Sequence, residues 1–168
     1  MHVTIEVPVP VSAAAYAALL RDEPFVRFRT AVPGARVDDV VVTPSAGDGF
    51  SVTVRRSVAA AQIPAQVRSF VGSELEIRQV EAWEGPRDGA WHGTVALDIT
   101  GTPVRLTGTV RLAPAGEGAL LTYDGEIRAT IPLFGPAVER SAAEAVRATI
   151  AAEELRVGAW VDVHGAPA

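Results

Sequence analysis

The sequence predicts an α+β domain in which antiparallel strands come first and one long helix comes last. Three observations carry this. Between residues 2 and 131, apolar and polar residues alternate in seven separate runs, the period of a strand with one buried face. Only the stretch Ile131 to Val161 reads as a long helix. The chain has 168 residues and is 48% hydrophobic, enough apolar material for a sizeable core. A single long helix after a series of strands needs a sheet to lie on.

The elements follow in order. Val3, Ile5, Val7 and Val9 share one face of a first strand over residues 2–9. Ser12 is placed to cap an alanine-rich helix through Leu20. Phe25, Val26 and Phe28 suggest a second short helix or turn, ending near Pro33-Gly34. Strands are then expected at 37–43, 50–58, 75–83, 90–100, 104–112 and 119–131, separated by turn sequences such as Ser45-Ala46-Gly47-Asp48-Gly49 and Gly85-Pro86-Arg87-Asp88-Gly89. The segment Ala59 to Ser73 interrupts the meander. It reads either as a short helix closing one end of the sheet or as a lid.

The last helix begins at Gly135-Pro136, with proline at a position where its missing N–H is harmless. Glu139 is expected in the opening turn. Val138, Ala142, Ala145, Val146, Thr149, Val157 and Trp160 share one face, and Val146 and Ile150 are expected to face the sheet. Arg140, Glu144, Arg147 and Glu154 lie roughly opposite. Running to about Gly158, this helix is roughly 35 Å long. Glu153 falls near the middle of the apolar face. Either the helix rolls so that Glu153 reaches solvent at its rim, or the carboxylate faces an internal cavity with an arginine or a ligand as partner.

Composition excludes several chemistries. There is no cysteine, hence no disulfide, thiolate nucleophile or cysteine metal site. All fifteen basic residues are arginine, so no Schiff-base lysine exists. A net charge of −5 with scattered arginines argues against a nucleic-acid partner and against charge-driven binding to an anionic membrane. No apolar run is long enough for an integral membrane segment, and the first residues alternate in place of forming a signal peptide, so a cytoplasmic location is expected.

Catalytic motifs are lacking too. His2 and His164 sit near the ends, and His92 alternates with Trp91 toward the wet face. No zinc-protease, nucleophile-elbow, phosphate-loop or dinucleotide signature occurs. No catalytic residue, metal ligand or cofactor is assigned. The inward faces do carry polar entries: Arg56 beside Phe50 and Val54, and Gln79 and Glu81 beside Trp83, unless a bulge turns Val80 and Ala82 inward.

Ile63-Pro64 with Phe70-Val71-Gly72, Glu81-Ala82-Trp83, Gly101-Thr102-Pro103, and Ile131-Pro132-Leu133-Phe134-Gly135 followed by Glu139 add a family signal. Through them the chain resembles the START-like, helix-grip superfamily of polyketide cyclases and lipid-transport proteins. It is most similar to a START-like family of unknown function in high-GC bacteria. The resemblance covers nearly the whole chain. It implies one START-like domain over 1–168: a curved antiparallel sheet of six to seven strands wrapped around a long C-terminal helix, with two short helices after the first strand. It also implies a cavity between sheet and helix for an apolar small molecule that is lipid-, sterol- or polyketide-like.

The expected lining is Phe70, Trp83, Trp91, Tyr123, Phe134, Val146, Ile150 and Glu153, with Arg56, Gln79 and Glu81 as polar cavity groups. Phe134 and the segment from Ile63 to Gly72 are placed at the mouth. The leading expectation is a non-enzymatic binding or carrier protein. An aromatase/cyclase-type enzyme and an interaction module with a filled core are the alternatives.

Overall fold

Seven strands and four helices appear in the computed structural model, which describes residues 1–59, 61, 65–69 and 72–168. The order is β1 (His2–Val9), α1 (Ala13–Leu20), α2 (Glu23–Thr30), β2 (Ala35–Pro44), β3 (Phe50–Ala59), α3 (Ala65–Arg68), β4 (Glu74–Trp83), β5 (Trp91–Ile99), β6 (Val104–Ala115), β7 (Gly118–Ala129) and α4 (Gly135–His164). The strands form one curved sheet in the order β1-β7-β6-β5-β4-β3-β2, antiparallel throughout. β1 and β2 are therefore its two edges, and the α1–α2 pair carries the chain from one edge to the other.

Local chemistry explains the short helices. Ser12 Oγ accepts the Ala15 N–H at 3.1 Å, satisfying one orphan donor at the start of α1. Pro24 stands in the first turn of α2, where it costs no hydrogen bond, so α2 begins at Glu23 and the proline does not break it.

β4 pairs in unbroken register with β3 and β5. Gln79, Glu81 and Trp83 consequently all point inward and are buried. The irregularity in the sheet lies instead in β2, between Val37 and Asp39. On the inward face of the sheet centre, Gly108 sits opposite Gly125. A Cβ at Gly125 would approach Thr107 O to 2.6 Å, so this close approach admits only glycine and leaves that patch of the inner wall without side chains.

α4 is longer than its sequence suggests. It continues through Gly158 to His164 and ends at Gly165, whose φ of 77° closes the helix with its N–H bonded to Val161 O. Gly158 costs about 1 kcal/mol of helix propensity relative to alanine, and the packing on either side of it overrides that. At the other end Phe134 is the capping residue, and Gly135 is already helical and packed 2.7 Å (as a Cβ would be) from Ala129 O. Glu139 accepts the Ala129 N–H at 3.0 Å, tying α4 to β7, and this bond holds its carboxyl below the usual range.

Two apolar clusters fill the space between sheet and helices. The larger joins all seven strands to α1, α2 and the stretch of α4 from Ala143 to Val157. The smaller, Leu75, Val104, Ala129, Ile131 and Val138, sits under the first turns of α4. Among the described residues, no helix is long and apolar enough to cross a membrane.

Candidate functional site

Between sheet and α4 the side chains leave a space open. A cavity of about 360 Å³ lies there. Its sheet wall is mostly apolar, built from inward residues such as Val58, Ile77, Leu97, Leu106 and Ile127, with Arg105 and Asp124 also on the lining. Its helix wall is made of small or half-buried side chains, Ala142, Ala145, Val146 and Thr149, with Ile150 at the deep end. Val32 to Ala35, the connection from α2 to β2, forms part of the rim.

The cavity ends against a buried polar cluster. Arg56, Gln79 and Tyr123 line it and belong to that cluster. Arg56 donates through Nη1 to Glu153 Oε1 at 2.6 Å and through Nη2 to Gln79 Oε1 at 2.7 Å. Gln79 Nε2 donates to Glu81 Oε1 at 3.0 Å, and Tyr123 donates to the same oxygen at 2.8 Å. Trp83 Nε1 donates to the other oxygen of Glu81 at 3.1 Å. Every inward polar group on β3, β4 and β7 is thus held by a neighbour, as burial demands.

The cluster continues away from the cavity toward the short helices. Arg29 Nη1 lies 3.8 Å from Glu153 Oε2 and 3.4 Å from Glu154 Oε1, and donates to Tyr16 Oη at 2.8 Å. Tyr16 in turn donates to Glu154 Oε1 at 2.7 Å. Burial pushes both tyrosine phenols well above their ordinary range, with the neighbouring carboxylates adding to the rise and Arg29 opposing it. Burial also raises the Glu154 carboxyl, with Arg29 and Tyr16 only partly opposing it. Glu154 Oε2 has no hydrogen-bond partner among the described residues. In all, two guanidinium groups face three carboxyl groups among these buried side chains.

The structure brings together Arg56, Gln79, Tyr123, Val146 and Ile150 on the cavity wall. Glu81 and Glu153 stand directly behind it, each 2% exposed and hydrogen-bonded. The outward reading of Glu153 is corrected: Arg56 draws it inside. Three aromatics are placed differently from expectation. Trp83 is in the core, stacked on Phe50 with ring centroids 6.2 Å apart, and Trp91 is buried in the same core; neither lines the cavity. Phe134 is 51% exposed beside Leu133 and also lies off the lining, because capping α4 turns it outward. Phe70, with Ile63, Pro64 and Val71, lies outside the described residues.

Tyr16, Arg29 and Glu154 were missed from sequence. Arg29 carried a signal, since it falls four residues after Phe25 and three after Val26, on their helical face. Glu154 lay on the polar side of the helical wheel and is buried only because α2 packs over that flank. Among the described residues, no group of three or more acidic, histidine or cysteine side chains is arranged to hold a metal.

Comparison with known proteins agrees with this architecture. A family described as "Protein of unknown function (DUF2505)" matches residues 4–161, and the chain belongs to it. An uncharacterised protein of Mycobacterium tuberculosis is 26% identical over 136 residues, covering 79% of this chain and 78% of its own. Among solved structures, a START superfamily protein from Mycobacterium smegmatis superposes with a TM-score of 0.55 at 19% identity, covering 95% of this chain and 98% of that one. A STAR-related lipid transfer protein fragment from Xanthomonas axonopodis gives 0.57 at 19% identity, covering 90% and 82%. The fold is START-like.

Proposed function

We propose, taking that family and fold as premise, that this protein binds an apolar small molecule between its sheet and α4 and acts as a carrier without catalysing a reaction. The observation that carries the proposal is the cavity itself. Close-packed interiors hold few voids larger than a water molecule. This one, about 360 Å³, is roughly a dozen times the volume of a water in the liquid. It falls within the range of small-molecule sites, near its lower end. Its walls are mostly apolar with a few polar groups among them, Arg56, Gln79 and Tyr123 as one connected set, the pattern that grips a greasy molecule in one orientation. The description of one structural neighbour as a lipid transfer protein points the same way.

The cyclase-type reading has less support. It needs an inward carboxylate free to move a proton at the wall. Glu81 accepts three hydrogen bonds, and Glu153 is held between Arg56 and Arg29. An interaction module would instead present one broad apolar patch. Among the described residues, the exposed large apolar side chains are few: Met1, Val41, the adjacent Leu133 and Phe134, and Leu155 and Val163 on α4.

The test uses N-phenyl-1-naphthylamine, a neutral apolar probe that brightens when it leaves water. Wild-type protein is expected to take it up saturably, and Ala142→Phe, which fills the cavity from the helix side, to lose uptake while keeping its melting temperature. No uptake by wild type, or uptake unchanged in Ala142→Phe, overturns the proposal.

A further inference from the structure

Resting on the cavity-binding reading above, we infer that the ligand carries a neutral oxygen acceptor, a ketone, ester carbonyl or hydroxyl, seated against Arg56, Gln79 and Tyr123, and that a carboxylate is rejected there. Two independent accounts of the same wall lead to this.

The first is donor arithmetic. A guanidinium has five N–H donors, and Arg56 uses Nη1 on Glu153 and Nη2 on Gln79. A primary amide has two, and Gln79 spends one on Glu81. Gln79 Oε1 is already taken by Arg56, and the Tyr123 hydroxyl hydrogen by Glu81. All three side chains line the cavity, and what they have left unspent is mostly N–H, with the Tyr123 oxygen as an acceptor beside it. An acceptor oxygen on the ligand meets that surplus. A hydroxyl meets it and also gives its own hydrogen to Tyr123. A wholly apolar ligand leaves it unmet, at the usual cost of a buried unsatisfied donor.

The second is charge. An unpaired arginine would favour a carboxylate head. Arg56 is not unpaired: Glu153 sits 2.6 Å from it. With Arg29, Glu81 and Glu154 counted, the buried cluster carries one more carboxyl than guanidinium. A further anion placed against it would be desolvated with no free counter-charge to meet it. A neutral oxygen takes the same hydrogen bonds without that penalty.

The experiment measures displacement of N-phenyl-1-naphthylamine by 2-decanone, 1-decanol and decanoate, three chains of matched length, well above the ordinary carboxylic acid range at about pH 7.5. The ketone and the alcohol are expected to bind roughly tenfold or more tightly than decanoate. Glu153→Gln, which frees the charge of Arg56, is expected to erase most of that gap by strengthening decanoate. Should the variant not fold, the wild-type series decides alone. Decanoate binding as tightly as the neutral chains, or discrimination unchanged in a folded Glu153→Gln, overturns this inference and leaves the carrier reading standing. Failure of the probe and of all three chains to bind overturns both.

Discussion

Between Val138 and Thr149, α4 lies over the cavity with small side chains, and Ala142, Ala145, Val146 and Thr149 stay only partly covered or exposed. Between Ile150 and Trp160 the same helix is clamped. Glu153 and Glu154 engage Arg56, Arg29 and Tyr16; Val157 is fully buried; Trp160 meets Phe25 and Phe28 with ring centroids 5.7 and 5.3 Å apart. Arg156 covers the Phe28 ring and donates to Phe28 O at 2.7 Å. The sheet is continuous beneath both halves, so the difference comes from α1 and α2. They close over the later turns of α4 and supply the side chains that fill the space there. Under the turns from Ala142 to Thr149 neither α1 nor α2 supplies lining side chains, and the cavity lies there. One half of the helix fixes the fold, and the other spans a space that the fold leaves open.

The sharpest way to break this comparison is at its boundary. Arg56→Met leaves Glu153 buried without its nearest cation, and a loss of about 3–5 kcal/mol is expected in urea unfolding. A loss below about 1 kcal/mol would mean that cavity water solvates Glu153, and the clamp would not be dry.

The same substitution on each half comes next. Val157→Ala is expected to cost about 2–3 kcal/mol, the transfer of two methylenes plus the void they leave. Val146→Ala, on the cavity wall, should cost under about 1 kcal/mol because it only enlarges a space already there. Equal losses at the two positions would show that the helix is packed alike along its length.

The smallest effect is expected from the pH dependence of Glu154. The groups facing it are Tyr16 from α1, Arg29 from α2, Glu81 from β4 and the adjacent Glu153. Its carboxyl is raised in the folded state, so between the ordinary glutamate value and that raised value the native protein holds a proton that the unfolded chain has released. Stability therefore falls as pH rises through this window, and the loss is complete above it. Glu154→Gln keeps the oxygen that Tyr16 addresses and removes the surplus charge. It is expected to flatten the fall that sets in above the ordinary glutamate value and to leave the protein at least as stable at neutral pH. A clearly destabilised Glu154→Gln at neutral pH would show that the third carboxylate is needed, opposite to the charge balance argued here.

What the sequence by itself determined is what depends on neighbours along the chain. Alternation marked the strands and put Arg56 on an inward face, because a strand's side chains must take turns, but it left Gln79 and Glu81 open until the unbroken register of β4 with β3 and β5 excluded a bulge. Ser12 marked the start of α1, since its hydroxyl needs only Ala15 nearby. Helical spacing put Glu153 on the apolar face but could not say what it met there. The partner, Arg56, is 97 residues away, and Arg29 is 125 residues from Glu154. Only tertiary structure decides such pairs, because a charge can be buried only where another chain segment delivers its counter-charge. Trp83, Trp91 and Phe134 were misplaced for a related reason: an inward or apolar residue can fill a core, line a space or turn outward, and the pattern is the same for all three. The cavity is the extreme case. It is the difference between the space the curved sheet encloses and the side chains that α1, α2 and α4 put into it, and no single stretch of sequence contains that difference.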